Sequence, residues 1–232
     1  WDQDFLYCWD FFCLGHSGSF ITYLFNDGFV PIESSRFEGH TVNKRIGCPG
    51  HDHLDMLGGD LTKKCNANKS LLDSLKDELI SVFSFANGSL DLVFLIDTTG
   101  SMWDDIAAAK ASAVDIINTI DSKSKDYRIA VVDFEDFPYW PYGNSSAGDY
   151  MYHDVLNFSK DKSAIVSAIQ GLPIRDGADW PESHYSALMH ILQKNAIGGW
   201  RDNVKKVVII MTDAPPHDPE PYTGYTMKTV VD

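Results

Sequence analysis

The apolar positions change their period near residue 89. Before it, one stretch repeats regularly: in "NKSLLDSLKDELISVFSFA", Leu71, Leu72, Leu75, Leu79, Ile80 and Phe83 recur at helical spacing, and "NGS" ends the pattern. From Leu90 onward, continuous apolar runs alternate with helical stripes. "DLVFLID" reads as a strand covered on both faces. "MWDDIAAAKASAVDIINTI" places Ile106, Ala109, Ala113, Val114, Ile117 and Ile120 on one helical stripe, with Asp104 and Asp105 in the first turn, where the helix dipole favours anions. "YRIAVVDFED" predicts a second strand, "DKSAIVSAIQGL" a short helix, "WPESHYSALMHILQKNA" a helix with Pro near its start, and "VKKVVIIMTD" a third apolar strand. Strands alternating with helices predict an α/β fold with a doubly wound parallel sheet, preceded over residues 1–88 by a small Cys-containing region of unknown fold. In such sheets the ligand crevice lies beyond the carboxyl ends of the strands, where Asp97 and Asp213 fall.

Composition supports a folded chain and narrows its partners. With 232 residues, 44% hydrophobic and 22% charged, there is apolar material for a sizeable core plus a small module. The net charge of -14 argues against nucleic acid, whose phosphates need Lys and Arg to neutralise them. A cationic partner or a divalent metal suits it better. Cys8, Cys13, Cys48 and Cys65 are confined to the first third without a Cys-x-x-Cys pair, which reads as a local disulfide framework with three possible pairings. Glycosylation sequons at Asn68, Asn87, Asn144 and Asn157 point to the same secreted, extracellular compartment and leave room for glycans. No run reaches the ~18 apolar residues of a membrane helix. The start, "WDQDFLYCWDFF", lacks the basic segment of a signal peptide, so a leader has been removed or was never there.

Three loops carry the candidate chemistry: "DTTGS" after the first strand, "RDGADWPE" before the Pro-started helix, and "MTDAPPHD" after the third strand. Each supplies hard oxygen donors, which select Mg²⁺, Mn²⁺ or Ca²⁺, whereas zinc calls for His or Cys. In an extended turn, Asp97, Thr99 and Ser101 at alternate positions project to one side and can share an ion.

With these motifs in this order, residues 89–232 resemble the von Willebrand factor A (vWA) domains, whose metal-ion-dependent adhesion site (MIDAS) begins with Asp-x-Ser-x-Ser and adds a Thr and an Asp from two further loops. Asp97, Thr99 and Ser101 stand in the first motif, with Thr for the first Ser, and Asp213 matches the third-loop Asp. Asp179 of "GADWPE" stands where integrin inserted domains place Thr. "YRIAVVDFEDFP", "GADWPESHYSAL" and "WRDNVKKVVIIMTDAPPHDPEPYTGYT" look like the secreted and matrix-type, hemicentin-like subgroup, which uses Asp there. The resemblance implies a Rossmann-like vWA sheet that continues past Asp213 with elements beyond "MKTVVD", so the domain reads as truncated. It also implies a divalent cation held by Asp97, Thr99, Ser101, Asp179 and Asp213, and a protein partner or self-assembly engaged through that cation. Three carboxylates against a divalent ion leave the site near minus one, which tightens the ion and weakens its pull on an acidic partner.

Blander readings stand beside these. Asp-x-Thr-x-Ser alone is a turn or cap, and only the joint presence of all three loops favours metal. Glu182 reads as a capping residue in the first helical turn, Asp133 and Asp136 as outer-sphere or surface groups, and His217 as structural. "GHDH" at 50–53, with His16 or His40, is too loosely spaced for a zinc site and reads as a surface loop. Trp140, Tyr142 and Trp180 form a partner surface or cover the sheet edge.

Two function classes follow. The first is an extracellular, metal-dependent adhesion module of a matrix or surface assembly, without catalysis. The second is a Mg²⁺-dependent phosphoryl-transfer enzyme with Asp97 as nucleophile, since "DTTGS" resembles the phosphorylation loop of P-type ATPases. Thr98 in place of that loop's Lys counts against it. A vWA domain whose metal is purely structural is a third reading.

Overall fold

The structure is a computed structural model, and it describes residues 21–23, 44–46, 89–175 and 177–231. The expectations for Cys8, Cys13, Cys48, Cys65, Asn68, Asn87, the histidines before residue 54 and the helix after Asn68 lie outside the described residues. Strands β1 (Ile21–Tyr23) and β2 (Lys44–Ile46) pair in parallel as a two-stranded sheet.

The main sheet has four strands: β3 (Ser89–Asp97), β4 (Asp126–Phe134), β5 (Tyr152–Ser159) and β6 (Lys205–Met211). Their order is β5-β4-β3-β6. β3 runs parallel to both β4 and β6, and β5 joins β4 antiparallel at the edge. The first strand of this sheet, β3, therefore lies inside it, with β4 and β6 on opposite sides. This arrangement is a topological switch point, where loops diverge and leave a crevice.

The continuous apolar run of β3 is explained by cover on both faces. Leu92, Phe94 and Ile96 pack under helix α1 (Ile106–Lys123) and helix α2 (Lys162–Gln170), against Ile117, Ile120, Ile165 and Ile169. Val93 and Leu95 point the other way, into a second core with Val208, Ile210, Trp200 and helix α3 (His184–Ile191), which contributes Tyr185, Leu188 and Ile191. A short helix α4 (Met227–Val231) follows the last loop. A fully buried side chain of this size contributes roughly 1.5–3 kcal/mol by leaving water, so these two layers fix the sheet on which the loops stand.

At the opposite end of the strands, fully buried Asp91 accepts from Arg128 Nε at 3.0 Å and Nη2 at 2.6 Å, from Arg201 Nε at 2.8 Å and from the Arg201 backbone N–H at 2.8 Å. One carboxylate thus ties β3 to β4 and to the start of β6.

Three local expectations are revised. Asp104 and Asp105 are not inside the first helical turn: Gly100–Trp103 forms a 3₁₀ turn, α1 starts at Ile106, and Asp105 is its N-cap residue. Val114 lies at the half-buried flank of the stripe, and Ile116 takes its place in the core. Pro181 precedes α3 rather than opening it. Strand β5, which the period-2 reading missed, carries a half-exposed pattern and a bulged register against β4, both of which blur alternation.

Candidate metal centre

Register sets the site. Asp97 closes β3 opposite Phe134, the last residue of β4, and Ile96 pairs with Met211, so Thr212 and Asp213 emerge beside Asp97. The loops are then locked together by backbone bonds: Thr98 N–H to Phe134 O at 3.0 Å, Arg175 N–H to Thr98 O at 2.9 Å, Glu182 N–H to Pro215 O at 2.9 Å, and His217 N–H to Glu182 O at 3.1 Å.

Asp97, Thr99, Ser101 and Asp213 meet in one hydrogen-bonded group. Asp97 Oδ1 accepts from the Thr99 backbone N–H at 2.9 Å and from Thr99 Oγ1 at 2.6 Å, while Oδ2 accepts from Thr212 Oγ1 at 2.5 Å. Ser101 Oγ donates to Asp213 Oδ1 at 2.9 Å. Thr99 Oγ1 and Ser101 Oγ lie 3.2 Å apart. The two hydroxyls are within hydrogen-bond distance of each other, so side-chain oxygens from two loops form one continuous network of the hard donors that a divalent ion takes. The turn that brings Ser101 back is the 3₁₀ turn after Thr99, not a continued extended segment.

Glu182, read from sequence as a capping residue, is buried in the same neighbourhood. Its Oε2 has no hydrogen-bond partner. Its carboxyl is pushed well above the usual range by burial first, then by the charges of Asp97, Asp136, Asp213 and Asp179. Burial, followed by the charge of Asp213, raises Asp97 from 3.8 to about 7 against the lowering effect of its three hydrogen bonds. Buried carboxylates that cannot all ionise together favour a bound cation. The donor set of two hydroxyls and the Asp97 and Asp213 carboxylates, with Glu182 buried close by, has the chemistry of a hard divalent ion site.

Asp179 keeps different company. It is exposed in the second loop, and Asp136, Asp179 and His217 each present a ligand atom within 4.8 Å of the others. His217 Nε2 lies 3.2 Å from Asp136 Oδ2 and 3.9 Å from Asp179 Oδ2. Asp136 is buried, and its Oδ1 is without a hydrogen-bond partner. Burial, then a shared hydrogen bond with Asp136 and that residue's charge, raises Asp179 to about 6. Burial alone lowers the His217 pKa, but Asp136 and then Asp179 outweigh it and raise it. Sequence reasoning set Asp136 and His217 aside because nothing in the linear text joins the loop after β4 to the loop after β6. The signal it had was "PPHD" beside the strand end, which becomes informative only once the register is known.

Asp133 is buried, accepting from Tyr150 Oη at 2.7 Å, so it supports the loop after β4 rather than the ion group. Ser183 Oγ donates to Glu135 O at 2.6 Å and anchors the start of α3. Asn144 and Asn157 are both exposed.

A family model described as the integrin beta chain VWA domain matches residues 86–220, more than half of the chain. The chain belongs to the integrin beta chain VWA domain family. Integrin beta-1-A of Xenopus laevis is 25% identical over 139 residues, covering 54% of this chain and 17% of that protein. Integrin beta-1 of Gallus gallus is also 25% identical over 139 residues, again 54% of this chain and 17% of its own length. The chain thus spans about a sixth of these relatives. A solved structure of an uncharacterized protein from Alicyclobacillus acidocaldarius is similar over 53% of this chain and 50% of its own, at 20% identity and a TM-score of 0.30. The VWA membership agrees with the mixed α/β sheet and the helices on both its faces.

Proposed function

We propose that this chain is a metal-dependent binding module that holds a partner protein at the carboxyl edge of its sheet. One observation carries the reading: Asp97, Thr99, Ser101 and Asp213 come from loops 112 residues apart yet form one hydrogen-bonded group of hard oxygen donors, buried except at Ser101. Asp97, Asp213 and Glu182 supply carboxylates, and Thr99 and Ser101 supply hydroxyl lone pairs. When bound, the ion would neutralise carboxylates that otherwise repel one another and pin together the loops of the binding edge. Asp136, Asp179 and His217 hold a second ion, and the imidazole nitrogen widens the choice there to Mn²⁺ or Zn²⁺. Asp179, placed by the vWA resemblance in the first group, belongs in this reading to the second.

The phosphoryl-transfer alternative is disfavoured by the same geometry, since a nucleophile needs a free oxygen and both Asp97 oxygens are engaged in a fully buried carboxylate. Among the described residues no helix is long and apolar enough to cross a membrane. We place the module outside the cell, in keeping with the exposed sequons at Asn144 and Asn157 and with its likeness to secreted and matrix-type A domains. Calorimetric titration of Mg²⁺, Mn²⁺ and Ca²⁺ into metal-stripped protein tests the reading: divalent binding that Asp97→Ala removes supports it, and no divalent binding by wild type overturns it.

A further inference from the structure

Among the described residues, the exposed large apolar side chains are Trp103, Tyr139, Trp140, Ile174, Trp180 and Tyr222. Every one lies at the carboxyl edge of the sheet, Trp103 at the end of the 3₁₀ turn after β3 and the others on loops, and none lies on an α-helix or strand. Trp140 is 86% exposed and Trp103 73%. The tyrosines of this edge are packed against one another. Tyr222 packs 5.2 Å from both Phe137 and Tyr139, Tyr142 lies 5.1 Å from His217, and Tyr222 Oη donates to Trp140 O at 3.5 Å, joining the loop after β4 to the loop after β6. An apolar set confined to one edge is the mark of a docking surface.

Charge selects the occupant. The four loops at this edge, residues 98–105, 135–151, 171–183 and 212–226, carry eleven Asp and Glu, six of them buried, with Asp104, Asp179 and Asp218 facing solvent and Arg175 as their one Lys or Arg. Two bound divalent ions leave the edge negative. The cations gather at the other end of the strands, where Lys160 and Arg201 pair with Asp126. Arg175 itself sits 5.3 Å over the Tyr150 ring, so the edge already shows guanidinium on an aromatic face.

We infer that this rim docks an Arg- and Lys-bearing surface of a partner polypeptide, whose cations lie on the rings of Trp103, Trp140, Trp180 and Tyr222 within the acidic field. Aromatic faces attract Arg and Lys, Trp and Tyr are the usual anchors of protein interfaces, and a negative rim speeds encounter with a positive partner. A neutral glycan makes no use of the charge, and an acidic polypeptide must enter against it.

The inference rests on the proposed use of this edge for binding, so the test separates the two. A fluorescent peptide alternating Arg and Lys with Gly, and its Asp/Glu counterpart, are titrated by anisotropy into the full chain with Mg²⁺ and again with EDTA. The same titrations use the double variant Trp103→Ala, Trp140→Ala, which leaves the charge unchanged and removes only exposed rings. The expected result is binding of the cationic peptide that weakens by at least about tenfold in the double variant, the loss that two exposed cation–π contacts account for. Equal affinity in the double variant overturns the inference, because charge alone then attracts the peptide. Preference for the acidic peptide, or capture of neutral oligosaccharides on a glycan array that depends on the tryptophans, overturns it as well. If wild type binds Mg²⁺ by calorimetry but not the cationic peptide, only this inference fails; if it binds no divalent ion, the proposed function fails.

Discussion

Replacing Asp97 by Asn should stabilise the metal-free protein, although it removes a hydrogen-bonded side chain from the centre of the site. Asp97 is fully buried, and its carboxyl is raised from 3.8 to about 7 by burial and by Asp213. A folded-state pKa above the unfolded one means that the fold holds the proton more tightly, so stability is present below pH 3.8 and is lost as pH rises through about 7. At about 1.4 kcal/mol per pH unit between the two values, ionised Asp97 costs the fold on the order of 4 kcal/mol at pH 8 and under about 2 kcal/mol at pH 5. Asn keeps the shape. Its oxygen still accepts from the Thr99 N–H and hydroxyl, and Thr212 can turn its proton from Asp97 to Ala214 O, 3.3 Å away, while accepting from the new amide. The expected outcome in urea unfolding with EDTA is a gain of about 1–3 kcal/mol at pH 8, smaller at pH 5, after allowance for imperfect repacking. A divalent ion at a hundred times its dissociation constant should add about 2.7 kcal/mol to wild type and far less to the variant. Destabilisation of the metal-free variant by 2 kcal/mol or more at pH 8 would refute the reasoning, because it would show the Asp97 charge to be satisfied without an ion.

Other consequences can be checked in the same assays. Asp91→Ala strands Arg128 and Arg201, both largely buried, and should cost about 3–5 kcal/mol in urea unfolding without altering ion binding. Phe94→Ala empties the fully buried centre of the layer under α1 and should cost about 3–5 kcal/mol. His217→Ala should remove one of two calorimetric binding events for Mn²⁺ and leave the other, whereas loss of both would show that the two groups act as one site. Metal-free wild type should lose thermal stability between pH 5 and pH 8 as Asp97 and Glu135, both pushed up to about 7 chiefly by burial, ionise, and saturating Mn²⁺ should reverse the Asp97 share of that loss.

The sheet was legible because its three parallel strands, β3, β4 and β6, are buried on both faces and so appear as unbroken apolar runs, bounded by helices with clear stripes. Strand β5 was not, since an edge strand with a bulge and one wet face shows neither an apolar run nor clean alternation. The same division holds at the site. Asp97, Thr99, Ser101 and Asp213 were visible because two of the loops announce themselves by spacing and by following apolar strands. Glu182 was passed over because a carboxylate after Pro at the head of a helix has an ordinary local use, and only the backbone bridge to Pro215 and His217 reveals that it is drawn inward. The partnership of Asp136 with Asp179 and His217 depends on three loops meeting, a fact of register that no local pattern carries.

The central claim is that an ion sits among Asp97, Thr99, Ser101, Glu182 and Asp213. Crystals of the full chain soaked in Mn²⁺ and measured at the manganese absorption edge test this directly. The account predicts an anomalous peak bonded to the Ser101 hydroxyl and to carboxylate oxygens of that group, with a second peak between Asp136, Asp179 and His217. Well-ordered density with no anomalous peak at the first position, or a peak only at the second, would contradict it.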